Sequence, residues 1–253
     1  MIKVTETENE CLCEFTSEYY SLDILRNKKN LVLLSGGIDS QALCSYLKNN
    51  NVEYETLFAD YSYNKHDGKF ARLTGINHTL KINLNEFYFD KKIHLEYFKK
   101  YKCTSPQLAV HLYIIKYSLE KFPEYNILLP GHPLYKNRSV INLPDYTQLS
   151  YHRFCKKENL SNVYPYFFID FEVASDIRLL NIHKKSNCND YTKKFLLYEE
   201  LGLKILQQEK TSTGFEEYRI FLKEEKKIFY DEEFRKPISL KKRMKYKTTE
   251  SIF

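Results

Sequence analysis

Residues 31–47 read LVLLSGGIDSQALCSYL, and the fold turns on how that stretch is divided. Asn30 to Leu34 is a compact apolar run of the kind a buried strand needs. Gln41 to Lys48 has helical spacing, with Ala42, Leu43, Tyr46 and Leu47 on one face. Between them, Ser35 to Ser40 reads as a turn holding two adjacent glycines. Such a turn bends tightly and points successive N–H groups at an anion, and the helix N-terminus adds partial positive charge. Gly36 and Gly37 would form the nest, with Ser35 and Ser40 as hydroxyl donors to phosphate oxygens. Asp39 is badly placed against bare phosphate but suits magnesium carried on phosphate.

Working outward, Glu53 to Ala59 predicts a second strand ending at Asp60, and Asn64 to Leu73 a loop leading into a helix that stops at Gly75. His78 to Ile82 predicts a third strand. Over 106–122, Leu108, Leu112, Ile115, Leu119 and Phe122 step by helical intervals, and Tyr125 to Leu129 comes next as a fourth strand before Pro130-Gly131-His132. Alternating strands and helices specify an α/β fold, a parallel sheet sandwiched by helices. Beyond residue 145 strand signals fade, and helices are expected near 147–158, 171–181 and 190–202, with a mixed segment at 215–230. The expected organisation is N-terminal strands and link (1–28), a nucleotide-binding core (29–145), a mostly helical substrate-side region packed on it (146–230) and a basic tail (231–253).

With 253 residues and 43% hydrophobic content, the chain can bury one sizeable core. No apolar run is long enough for a bilayer, and MIKVTETENECLCEF lacks the layout of a signal peptide, so a cytoplasmic protein is expected. None of the six cysteines (Cys11, Cys13, Cys44, Cys103, Cys155, Cys188) forms a C-x-x-C pair, which leaves a zinc knuckle or dithiol redox motif unsupported. They read as plain thiols. The net charge of +6 is a local feature: Arg235 to Lys247 carries seven Lys and Arg and no acid. That stretch is either a solvated end or a contact for RNA, a membrane surface or an acidic partner.

Ser35-Gly36-Gly37-Ile38-Asp39-Ser40 resembles the S-G-G-x-D-S signature of the ATP pyrophosphatase (PP-loop, adenine nucleotide alpha hydrolase-like) superfamily. The resemblance implies a Rossmann-like sheet, ATP and Mg2+ as cofactors, and ATP cleavage between the α and β phosphates. AMP is attached to a carboxylate or carbonyl-type oxygen, the loop holds the departing pyrophosphate, and a nucleophile then displaces AMP.

Shorter pieces resemble the synthetase domain of the asparagine synthetases. Tyr166-Phe167-Phe168-Ile169-Asp170 looks like its P-F-L-D segment, and residues 191–197 (YTKKFLL) look like its K-x-x-L-R helix. Glu209 to Phe215 looks like its R-K-x-x-G-F segment, which implies that Lys210 stabilises the leaving pyrophosphate. Asp60 falls where that family has the edge of the adenine pocket. The family's S-G-x-G-x-D-E run departs here: Gly131 survives but the acidic pair is absent. Either His132 and Lys136 line an altered pocket, or the substrate and metal arrangement differs. Asp170, Arg138 and Arg178 are further candidates, the first for a supporting position behind the ligands and the two arginines for anion contact.

The catalytic set expected is therefore Lys210, Asp39 and His132. The nucleotide set is Ser35, Gly36, Gly37, Asp39, Ser40, Asp60 and Gly131, with Asp39 the metal ligand. A glutaminase domain is not expected, since its nucleophilic cysteine would start the mature chain and Ile2 stands after Met1. The activity implied is amide formation on a small-molecule or peptide carboxylate with an amine or ammonia. Alternatives are tRNA or nucleobase modification of thiolation, lysidine or deazaguanine type, and an inactive nucleotide-binding subunit. No cysteine cluster lies beyond Cys155, against the zinc-binding deazaguanine pattern, and Cys103 and Cys155 offer only isolated thiols to a thiolation enzyme.

Overall fold

The computed structural model describes residues 3–6, 10–15, 22–101, 103, 106–130, 151, 154–164, 195–196, 198–206, 214–225 and 243–248, with backbone alone for 3–6, 10–15, 214, 216 and 243–248. Its elements are β1 (Lys3–Glu6), β2 (Glu10–Phe15), α1 (Asp23–Arg26), β3 (Lys29–Leu33), α2 (Ile38–Asn49), β4 (Glu55–Asp60), α3 (Lys65–Thr74), β5 (His78–Lys81), α4 (Ile93–Tyr101), α5 (Pro106–Lys121), β6 (Tyr125–Leu128), β7 (Val163–Tyr164), α6 (Gly214–Glu224) and β8 (Arg243–Thr248). A single π-helical turn, Glu86–Asp90, precedes α4.

Five strands form one sheet in the order β5-β4-β3-β6-β7, every neighbouring pair parallel. This is the α/β sandwich expected, and among the described residues the C-terminal half beyond β6 is mostly helical. Side-chain alternation along the strands divides the core in two. Val32, Leu34, Phe58, Leu128 and Tyr164 pack with α2 and Ala71 of α3 on one face. Leu31, Leu57, Leu80, Ile127 and Val163 pack with α4, α5 and α6 on the other. Strands buried on both faces are what parallel pairing requires.

The C-terminal ends of all five strands share one edge. From β3 the chain passes through α2 to β4 on one side, then β5, and returns through α5 to β6 on the other side of β3. The strand order therefore reverses at β3–β6, the place where open α/β sheets bind ligands. The loop after β3 sits there.

Several boundaries differ from expectation. The helix after the loop begins at Ile38, not Gln41, so Asp39 and Ser40 are first-turn residues. The strand at 163–164 lies beyond the point where strand signals fade, and it exists through its pairing with β6. Part of the basic stretch is strand: β8 pairs parallel with β2, which pairs antiparallel with β1, in a separate three-stranded sheet. The helix expected to stop at Gly75 does so, and Gly75 takes φ +116° as its cap. Among the described residues no helix is long and apolar enough to cross a membrane.

Candidate functional site

The loop is built by two hydroxyls. Ser40, completely buried, donates from Oγ to the Gly37 carbonyl (2.8 Å) and accepts from the Gly36 N–H (3.1 Å) and the Ser35 hydroxyl (3.2 Å). One donor and two acceptors are all a serine hydroxyl has, so Ser40 is saturated. Ser35, exposed at the rim, accepts the Gly37 N–H at 3.2 Å. In this conformation both hydroxyl donors and both glycine N–H groups are engaged inside the loop.

Gly36 has φ +87°, a conformation costly for any residue with a β-carbon. A β-carbon there would also stand 2.0 Å from the carbonyl oxygen of Asp67 in α3. At Gly37 the same atom would meet only Ser35 Oγ, at 3.4 Å. The two glycines thus have different tasks: the first lets α3 close against the loop, and the second is free of such a constraint.

Gly37 caps α2, and its carbonyl accepts the N–H groups of both Ser40 and Gln41 (3.1 Å each). Ile38 and Asp39 supply the helix's first two N–H groups, positions that have no intrahelical acceptor. A carboxylate in this first turn is favoured by the helix dipole. Asp39 is half-buried, and Oδ1 accepts a hydrogen bond from the Tyr198 hydroxyl at 2.7 Å.

Tyr198 opens a segment bound along α2. Asn49 Nδ2 donates to the Gly202 carbonyl (3.2 Å), Ser45 Oγ accepts from the Lys204 N–H (2.7 Å), and Gln41 Oε1 accepts from the Leu206 N–H (2.8 Å). Positions 41, 45 and 49 stack on one helix face. Residues 202–206 consequently run back along α2 towards the loop. Gln41 closes the arrangement by donating from Nε2 to the Gly36 carbonyl at 2.8 Å.

Asp60 ends β4, where its Oδ1 accepts the Ser62 N–H at 2.9 Å. Asn64 clamps the same turn, accepting from the Tyr61 N–H (3.0 Å) and donating to the Ala59 carbonyl (2.8 Å). Asp60 thus has a turn-closing role on the shared C-terminal edge. Gly131, His132, Arg138, Asp170, Arg178 and Lys210 lie outside the described residues, as does Lys136.

Burial pushes the thiols of Cys44, Cys103 and Cys155 up to about 12, so none of the three is a ready nucleophile. The residues that sequence reasoning misses are Tyr198 and Gln41. Gln41 stands directly after the S-G-G-x-D-S string, but nothing local marks Tyr198 as a partner of a residue 159 positions away.

No protein-family profile matches the chain, and no curated protein does. Among solved structures, the chain is similar to a predicted subunit of tRNA methyltransferase from Methanocaldococcus jannaschii, with 20% identity, 80% of this chain and 90% of that chain covered, and a TM-score of 0.40. It is also similar to NMN synthetase from Francisella tularensis, with 11% identity, 77% and 98% covered, and a TM-score of 0.33. Likenesses this loose carry no argument about substrate or reaction.

Proposed function

We propose that the chain is an ATP-dependent, AMP-forming enzyme of the PP-loop class, which adenylates a carboxylate or carbonyl-type oxygen and passes it to an amine or ammonia in the manner of the asparagine synthetases. The observation that supports this best is the two-glycine loop at the C-terminal end of the central strand β3, running directly into α2 with Asp39 in its first turn. Phosphate is met there by the first N–H groups of α2. Ser35, at the rim, turns its hydroxyl outward at the cost of one internal hydrogen bond, whereas Ser40 stays to hold the loop.

Magnesium takes one or two carboxylates together with phosphate oxygens and water, and it does not need an all-protein cage. The half-buried Asp39 carboxylate beside the loop fits that demand, and no group of three or more His, Cys, Asp or Glu is gathered among the described residues. Asp39 would hold the ion there, and what the ion would supply is positive charge against the developing charge of a leaving pyrophosphate. Lys210 lies four residues beyond Leu206, a reach of at most about 14 Å from a backbone that Gln41 holds beside the loop. That reach supports its assignment to the leaving pyrophosphate. Gly131 and His132 follow β6 in the sequence, and β6 is the strand next to β3. Asp60 is assigned to the pocket edge on the other side. The buried, unreactive Cys44, Cys103 and Cys155 weigh against a thiolation route through those thiols.

The test is product analysis with α-labelled ATP and magnesium, using a host-type extract split into RNA and small-molecule fractions. The reading requires AMP from the wild type with the small-molecule fraction, and none from Asp39→Ala. A requirement for the RNA fraction would instead favour tRNA modification. ADP, or bound ATP without product, would remove the adenylation reading.

A further inference from the structure

We infer that Tyr198 is a positioning residue for Asp39, fixing the carboxylate for its divalent cation from the opposite half of the chain. The inference rests on the proposed PP-loop chemistry and adds to it a residue that the loop motif does not contain.

The phenol ring of Tyr198 has no exposed surface and lies in the core cluster that packs α2 on the sheet, together with Ile38 and Leu203. A ring held on all sides has one orientation, and its buried hydroxyl needs a partner. The hydroxyl donates to Asp39 Oδ1 at 2.7 Å. The χ1 angle of an aspartate falls in one of a few staggered wells. A hydrogen bond from a fixed donor selects one of them, much as outer-shell partners orient metal-ligating carboxylates generally. A carboxylate oxygen has lone pairs for both a hydrogen bond and a cation, so the contact does not compete with the metal.

Tyr198 does not depend on this bond for its own place. Leu206, Lys204 and Gly202 are anchored to Gln41, Ser45 and Asn49, one turn of α2 apart. Removal of the hydroxyl alone therefore leaves the segment attached, and the ring still fills its cavity in Tyr198→Phe. The metal ligand is thus set correctly only when residues 198–206 are seated on α2.

The decisive experiment titrates Mn2+ by electron paramagnetic resonance, and Mg2+ by calorimetry, in the presence of a non-hydrolysable ATP analogue. Wild type, Tyr198→Phe, Asp39→Ala and the double variant are compared. Tyr198→Phe is expected to retain the wild-type circular dichroism spectrum and to weaken divalent binding about tenfold, the scale seen when an outer-shell partner is lost. The double variant should match Asp39→Ala, because a residue acting through another adds nothing once that residue is gone. An unchanged cation midpoint in Tyr198→Phe, or a loss in the double variant equal to the product of the single losses, would overturn the inference while leaving the nucleotide reading intact. A wild type with no divalent-dependent analogue binding would remove both.

Discussion

A β-carbon on Gly36 would stand 2.0 Å from the carbonyl oxygen of Asp67, whereas one on Gly37 would be in ordinary contact with Ser35 Oγ at 3.4 Å. The first glycine of the loop is thus required by the fold itself, through the close approach of α3, before any ligand is considered.

The two alanine variants should therefore part company. Gly36→Ala forces a backbone clash and an unfavourable φ, and should cost more than about 3 kcal/mol or prevent folding. Gly37 has φ −69° and ψ 161°, which alanine adopts without strain, so Gly37→Ala should leave stability within about 1 kcal/mol. Because the proposed phosphate site adjoins Gly37, the N-cap of α2, the same variant should weaken nucleotide binding. Denaturant unfolding and nucleotide titration of the pair check both statements.

The loop serines should also differ in what they contribute to stability. Ser40→Ala leaves the buried Gly36 N–H without its acceptor and should cost about 1–3 kcal/mol. Ser35 is exposed and its Gly37 partner can turn to water, so Ser35→Ala should cost well under about 1 kcal/mol. Equal losses in thermal or urea melts would contradict a loop held from Ser40.

With thiols pushed up to about 12, Cys44, Cys103 and Cys155 carry roughly one thiolate in ten thousand at pH 8. A thiol reagent should therefore leave these three unmodified in the native protein and reach them only after denaturation. Peptide mapping of the modified cysteines reads the outcome directly.

At the edge of the sheet opposite the loop, Glu55 bonds His78 (2.5 Å) and accepts from the Tyr125 hydroxyl (3.0 Å). The His78 hydrogen bond is the main cause that holds the Glu55 carboxyl below its ordinary value. A lowered folded-state pKa means stability that is present above the unfolded value and lost as the pH falls through the folded one. Glu55→Gln should thus lower the melting temperature slightly near neutrality, and the gap should close on acidification. Both side chains are more than a third exposed, so the shift should stay small.

Much of the parallel-sheet core is legible in the sequence because its elements are specified locally. The apolar run Leu31 to Leu34 marks β3, Ser35-Gly36-Gly37 ends it, and α5 shows its apolar ladder at Leu108, Leu112, Ile115 and Leu119. α4 is equally legible, yet the strand-and-helix reading passes over it: His94, Tyr97 and Tyr101, its buried residues, are spaced as one helix face. The start of α2 is misplaced in that reading because Asp39 and Ser40 are polar and resemble a turn, although such residues also favour a helix's first turn. Features defined only by distant partners are not legible at all. β7 is two residues long and owes its existence to β6, and β8 is drawn from a lysine-rich stretch by its parallel register with β2. Deleting the basic stretch would therefore remove a strand along with its charge, which makes truncation a poor probe of RNA contact. The Tyr198–Asp39 bond belongs to the same group, since no spacing rule links residues so far apart.

The central claim is that ATP is opened between its α and β phosphates at the loop of Ser35 to Ser40. Exchange of labelled pyrophosphate into ATP, measured with the acceptor fraction present and the nucleophile withheld, tests this most directly. The account predicts magnesium-dependent exchange by the wild type and its loss in both Gly37→Ala and Asp39→Ala. Formation of ADP without exchange would contradict it.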